Sequence, residues 1–517
     1  MVAEKADLVL HEGAVFGHPA SDSVALAGGR ILAHGRFAEL KPLVGPRSHL
    51  VRLDGRTVAP GFIDCHLHFM EGASVAAGLS LIRCRTIPDL LAGLRVAAGR
   101  TPPGNWLKAF GCDESLMRER RGPTREELDQ ALPKNPLRLR HQTLHASWLN
   151  SRAIALLGLE HPQFQPPEGA ALTRDASGRV GALAIGMEEW LGARMPRVTA
   201  AELEARARVF SRELAAAGVT AFTDATARNG ADELARFARL AGNGSIAQRV
   251  AIMAGPHALD EAPAMRRMAD EAAIGLAGIK FIAPAQWSRA ELARAVADSW
   301  SQELDCAFHC TEVEELDAAL SAIAAARERV TARVLERSVC RIEHGGLIPP
   351  DYPERIAALD AWVVTNPGFL HYRGAKYAGE PGLIPYLYRA KGLADVGVKL
   401  AAGTDAPVTP SRPLAAIAGA VSRLSLEGYA LAPEESIDAA SAIAMFTASA
   451  ARLSRLDAGT IAPGRLADLI VLSADPLALA PAELLKATID LTIIDGRVVY
   501  ERGRPATTGA AGAVSQP

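Results

Sequence analysis

Ala59-Pro60-Gly61-Phe62-Ile63-Asp64-Cys65-His66-Leu67-His68 is the stretch from which the fold of this 517-residue chain is read. A short apolar run opened by Pro and Gly reads as a buried strand. In an extended chain, residues i and i+2 point to the same side. His66 and His68, at the end of such a strand, can therefore reach one common metal ion, where the plain alternative is a pair of surface histidines near a turn.

Working outward, strand-like and helix-like segments alternate, which predicts parallel strands joined by helices. Eight strands are expected: Gly61–His66, Val219–Asp224, Arg249–Ala254, Gly278–Ile282, Cys306–Cys310, Cys340–His344, Ala361–Asn366 and Val398–Gly403. Glu202–Ala217 and Glu315–Val334 are the clearest helices. Eight units suggest a closed (β/α)8 barrel. The excess length between Met70 and Val219 predicts an insertion at about 71–217.

Both chain ends carry short strand-like runs separated by Gly, Pro and Asp, such as Leu8-Val9-Leu10 and Leu469-Ile470-Val471-Leu472. Neither end buries a sheet face alone. One composite β-sandwich domain is therefore expected from residues 1–58 and 457–505, with the barrel at 59–456 and a disordered tail at 506–517.

Hydrophobic residues make up 49% and charged residues 22%, as in an ordinary soluble globular protein. A net charge of -2 and the lack of a basic stripe argue against nucleic acid and anionic membranes as partners. Six scattered cysteines fit the reduced thiols of a cytoplasmic protein. Cys306 and Cys310 lack a second pair to complete a metal clip and read as buried small residues. The sequence offers no signal-peptide core and no apolar run that spans a bilayer.

In barrels of this kind active sites collect at the C-terminal ends of the strands. Here those ends carry His66 and His68, Lys280, His309, His344 and Asp405. Singly, each has an ordinary explanation: a snorkelling lysine, a hydrogen-bonded histidine, a Gly-Thr-Asp turn. At matching positions of successive strands they point to one shared metal site.

The segments Pro60 to His68, Gly111-Cys112-Asp113-Glu114, His145-Ala146-Ser147-Trp148-Leu149-Asn150-Ser151, Gly278-Ile279-Lys280, Ile342-Glu343-His344-Gly345, Gly403-Thr404-Asp405-Ala406-Pro407-Val408 and Gly464-Arg465-Leu466-Ala467-Asp468-Leu469 resemble the amidohydrolase superfamily. Within it they are similar to the amidohydrolase-3, N-substituted formamide deformylase-like branch. The resemblance implies a distorted barrel with a composite β-sandwich. It implies metal ligands at His66, His68, Lys280, His309, His344 and Asp405, with Lys280 carbamylated and bridging a binuclear centre. Carbamylation answers a chemical problem, because an ammonium has no lone pair to give a metal. Imidazole and oxygen ligands suit zinc, with manganese, iron or nickel as alternatives and one or two ions per chain.

The expected activity is hydrolysis of an amide-like C–N bond of a small molecule, of N-acyl or N-formyl type, by metal-activated hydroxide. Asp405 is expected to act as general base and then acid. His145 is a second catalytic candidate, binding the substrate carbonyl or the oxyanion. Trp287, Phe369, His371, Tyr372 and Arg373, in loops after strands four and seven, are candidates for the substrate pocket. A deaminase, or a hydrolase of another carbon–heteroatom bond, would use the same centre. A catalytically silent scaffold would show missing ligands, and none is missing. The resemblance also implies a homodimer. The chain departs from the branch at Ile185, at Ile282-Ala283-Pro284-Ala285-Gln286-Trp287 and at Asn366-Pro367-Gly368-Phe369. These changes fall on pocket positions and leave the ligand set intact.

Overall fold

In the computed structural model, which describes residues 4–175, 177–282 and 287–504, eight strands pair in chain order into one parallel sheet. They run Phe62–Leu67, Val219–Asp224, Arg249–Ala254, Gly275–Ile282, Cys306–Cys310, Cys340–His344, Trp362–Thr365 and Lys399–Ala402. The expected tail at 506–517 lies outside the described residues, as does 283–286.

The sheet curls until its last strand meets its first. That seam is closed by main-chain hydrogen bonds rather than a ladder. Asp405 N–H donates to His66 O at 2.7 Å, and His68 N–H donates to Ala406 O at 2.8 Å. Lower down, Met445 and Phe446 fill the gap, accepting from Ala402 N–H and Ile63 N–H at 3.0 and 2.7 Å. Gly403 is required at this seam. A Cβ there would lie 2.5 Å from His66 Cβ and 2.6 Å from its backbone nitrogen.

Helices cover the outside. Arg289–Ser301 shows why they form where they do. Ser288 and Glu291 make a reciprocal capping box, and Leu292, Ala293, Val296, Ala297 and Trp300 repeat at helical spacing on the buried face. Such faces bury Phe237, Met265, Val296, Ile323 and Ile356 against Phe222, Phe281, Phe308, Ile342 and Val363 of the sheet. Each large side chain so buried contributes about 1.5–3 kcal/mol. The helix expected over 315–334 ends at Arg327, and a short one resumes at Ala332–Leu335. The β-branched pair Val330-Thr331, which favours extended backbone, sits in the break.

Both chain ends share the second layer. Thr57–Pro60 pairs with Leu469–Leu472 in a five-stranded sheet, which packs on a four-stranded sheet from residues 8–52. Leu10, Val24, Leu26, Val58, Val471 and Ile493 form their common core. The insertion after the first barrel strand builds a six-stranded sheet of its own between Leu79 and Ile185, with a separate core around Leu90, Leu128, Leu139 and Trp148. Cys306 and Cys310 are free thiols buried in the fifth barrel strand. No helix among the described residues is long and apolar enough to cross a membrane.

Candidate metal centre

The first strand sends Asp64, His66 and His68 to the same side, as period-two backbone requires. The rings of His66 and His68 sit 5.5 Å apart. His66 Nδ1 is hydrogen-bonded to Glu343 Oε2, and His68 Nδ1 to Thr226 Oγ1 at 2.9 Å. Both therefore turn Nε2 toward Asp405, whose Oδ1 lies 3.6 Å from His66 Nε2 and 3.1 Å from His68 Nε2.

The sixth strand needs a local reversal. Arg341 and Glu343 face the lumen, so simple alternation would turn His344 away. Instead His344 takes φ +70°, and Gly345 N–H donates to Glu343 O at 3.0 Å across it. This tight turn aims the imidazole back into the site, a left-handed backbone that few side chains adopt. His344 Nδ1 meets Asn366 Oδ1 at 2.8 Å, and its Nε2 faces His309 Nδ1 at 3.0 Å. Asp405 also has a positive φ, +55°.

Lys280 rises from the fourth strand, 2% exposed. Gly278 before it has φ +117°, where its α-carbon closes on the Asp305 backbone and leaves no room for a Cβ. Burial pushes the Lys280 amine down to about 8. Burial, with the Lys280 charge added, pushes His309 down to about 3 and holds His66 and His344 well below the usual histidine range. For His68 burial also opposes the charge, but Asp405 outweighs it and raises the ring's pKa. Asp64 is pushed up to about 7 by burial, against hydrogen bonds from Thr404 and the His66 N–H.

This set fits divalent metal. Among the described residues, Lys280 Nζ is a buried polar atom without a hydrogen-bond partner, which a folded chain rarely tolerates. His66, His68 and Asp405 bring three donor atoms within 4.8 Å of one another. Two nitrogens that each sit about 2.1 Å from one tetrahedral ion lie about 3.4 Å apart, and His344 Nε2 and His309 Nδ1, at 3.0 Å, come within a few tenths of an ångström of that spacing. Three of the four imidazoles have their outward nitrogen fixed by a carboxylate, hydroxyl or amide, as metal-binding histidines do.

The site opens into a cavity of about 550 Å³. His145, on the insertion, is exposed to it. Residues 368–378, expected as a loop, form a helix. Helical spacing then divides the pocket candidates. Phe369 and Arg373, four apart, line the cavity, and so do Lys376 and Tyr377. His371 faces away, toward the Leu424 carbonyl at 3.4 Å, and Tyr372 does not line the cavity. Trp287 stands apart from it too, edge-on to Phe281 at 6.0 Å. Ile185 is exposed on the insertion's sheet. Asp113 holds Arg373, and Asp224 is structural, accepting from Phe69 N–H at 2.7 Å and Asn229 Nδ2 at 2.9 Å. Glu343, Thr226 and Asn366 had no role assigned from sequence. Their signal was present for Glu343 alone, as Arg341-x-Glu343 in an otherwise apolar strand.

A model described as the amidohydrolase family matches residues 50–500. The chain belongs to the amidohydrolase family. This amidohydrolase is 27% identical to an N-substituted formamide deformylase of Arthrobacter pascens, over 93% of this chain and 95% of that one. It is 24% identical to a putative amidohydrolase, YtcJ, of Bacillus subtilis, over 93% and 96% of the two chains. Its fold is similar to that of an uncharacterized metal-dependent hydrolase from Pyrococcus horikoshii, with a TM-score of 0.70 at 22% identity, covering 92% of this chain and 99% of the other. An adenosine deaminase from Xanthomonas campestris with bound zinc aligns with a TM-score of 0.55 at 13% identity, over 96% and 93%.

Proposed function

We propose that the amidohydrolase cleaves an amide-type C–N bond of a small molecule, with N-formyl and N-acyl amines as substrates. The observation that carries this is the placement of Asp405 Oδ1 beside the inward Nε2 atoms of His66 and His68. Similarity to the Arthrobacter deformylase supports the choice of bond.

His66, His68, His309, His344 and Asp405 would hold divalent metal, for which zinc suits the donor set. Lys280 would join them as a carbamate. Burial lowers its pKa from the ordinary lysine value, so more of the amine is neutral and able to add carbon dioxide, losing one proton and becoming a carboxylate. Bound divalent ions supply Lewis acidity, polarising the carbonyl and acidifying water to a pKa of about 7. Asp405 takes the proton of the attacking water and returns it to the departing nitrogen, so one carboxylate serves as base and then acid. His145, exposed above the histidines, donates a hydrogen bond to the carbonyl oxygen. Glu343 and Asn366 keep His66 and His344 in register throughout.

The test is product analysis with zinc- or manganese-loaded protein. Formation of formate or carboxylate together with a free amine from N-formyl or N-acyl amines supports the reading. Ammonia release from amino-substituted rings, with the amides untouched, would move the assignment to deamination.

A further inference from the structure

One wall of the cavity carries hydrogen-bond donors that the protein itself does not use. Arg373 is 7% exposed. A guanidinium has five N–H donors, yet among the described residues its side chain makes one hydrogen bond, to Asp113 Oδ2 at 3.1 Å. The other Asp113 oxygen is occupied by Ser115, whose N–H and hydroxyl reach it at 3.0 and 2.5 Å. Beside Arg373, the Tyr377 and Tyr388 hydroxyls meet at 3.2 Å. Two phenols bring two protons, and their mutual bond consumes one. The second has no protein acceptor among the described residues. All three side chains line the cavity.

The position of Tyr388 is enforced. It is a bulky residue with φ +44°, a left-handed backbone that few side chains adopt. Arg423, 1% exposed, binds no carboxylate among the described residues. Its guanidinium donates to the carbonyls of Leu387 and Tyr388, both at 2.9 Å, and to those of Leu431 and Ala432 at 2.7 and 3.2 Å. Tyr388 N–H in turn donates to Gly346 O at 3.0 Å, two residues beyond His344. A buried cation spent on main chain alone fixes the strained segment against the edge of the metal centre. Phe369 lies between the two groups. Its ring centre is 6.5 Å from the His344 ring, 5.9 Å from the Tyr388 ring and 5.8 Å from the Arg373 guanidinium.

Resting on the hydrolytic reading above, we propose that Arg373, Tyr377 and Tyr388 form a subsite for a carboxylate carried by the substrate, which makes the preferred substrates N-formyl or N-acyl amino acids. The fork of Arg373 matches a carboxylate, and the spare phenol proton adds a third donor. Phe369, Leu347 and Val408 contact the carbon skeleton between the two polar ends. Glu312 and Glu380 also line the cavity but are exposed at its rim, beside Lys376, where solvent screens them.

The test compares N-formylphenylalanine with N-formylphenethylamine, which differ only in the carboxylate, on metal-loaded protein. Wild type is expected to favour the carboxylate by about tenfold or more in kcat/KM. Arg373→Met should bring that ratio close to one, and Tyr388→Phe should lower it severalfold. Should Arg373→Met fail to fold with Asp113 unpaired, the nearly isosteric Tyr388→Phe keeps the test open. A second readout needs no turnover: calorimetry of hydrocinnamate and hydrocinnamyl alcohol on the metal-stripped full chain. Only the carboxylate should bind, and more weakly in both variants. A wild-type ratio of one or less, or variants that leave both ratio and binding unchanged, overturns the proposal. Turnover of both amides without preference rejects the subsite and keeps hydrolysis. Arg373-dependent hydrocinnamate binding with neither amide cleaved does the reverse.

Discussion

Glu343 and His66, 277 residues apart in sequence, are joined inside the barrel by a hydrogen bond from ring to carboxylate. Arg341 grips the same carboxylate at 2.7 Å and, with the Cys65 carbonyl at 2.8 Å, ties the sixth strand to the first. Charge and geometry are set together. The carboxylate fixes the His66 tautomer with Nε2 toward Asp405, and the guanidinium balances the buried charge.

Glu343→Gln should therefore keep the fold and weaken the metal. A glutamine still accepts from His66 but no longer raises its basicity, so zinc affinity should fall about 10–100-fold. Glu343→Ala leaves Arg341 buried and unpaired and should cost about 3–5 kcal/mol. Zinc titration of stripped protein and chemical denaturation read the two effects separately.

Lys280 gives a second prediction. If its carbamate bridges two ions, Lys280→Ala should lower the metal content from two ions per chain to one or none, and Lys280→Glu should recover part of it. Intact mass under gentle ionisation should show wild type heavier by one carbon dioxide and both variants without that gain.

The fold was legible because its signals are local and repeated. Eight buried runs, five of them ending in metal-competent residues, encode a barrel and its rim. The order inside the insertion was not legible, since its strands alternate less regularly and its sheet order depends on pairings far apart in sequence. The helix at 368–378 was missed because Pro367 and Gly368 read as loop, whereas both sit at its first turn. That error concealed the division of Phe369 and Arg373 from His371 and Tyr372. Nor could His344 be aimed from sequence, because its orientation rests on a positive φ that a period-two strand does not foretell.

Gly403→Ala should act through packing alone. Its methyl would collide with the backbone and Cβ of His66 across the seam. A loss of about 1–3 kcal/mol is expected, with weaker zinc retention at matched folding. Thermal unfolding and zinc retention, each measured against wild type, check it.

The β-sandwich offers a pH test remote from the metal. The His34 ring lies 3.9 Å from that of His18, tilted by 39°, and burial, then the His18 charge, lowers its pKa from 6.5. The unfolded chain then binds the proton more readily than the folded one. Stability is full above pH 6.5 and declines as pH falls through the depressed folded value. His34→Gln should flatten part of that decline in the melting temperature of stripped protein between pH 7 and 5, measured against wild type.

The most direct measurement is metal content per chain by plasma mass spectrometry, on protein purified without chelator or nickel resin. The account predicts about two divalent ions per chain, one among His66, His68 and Asp405 and one at His309 and His344. A chain that retains none, and takes up neither zinc nor manganese when they are offered, would contradict it.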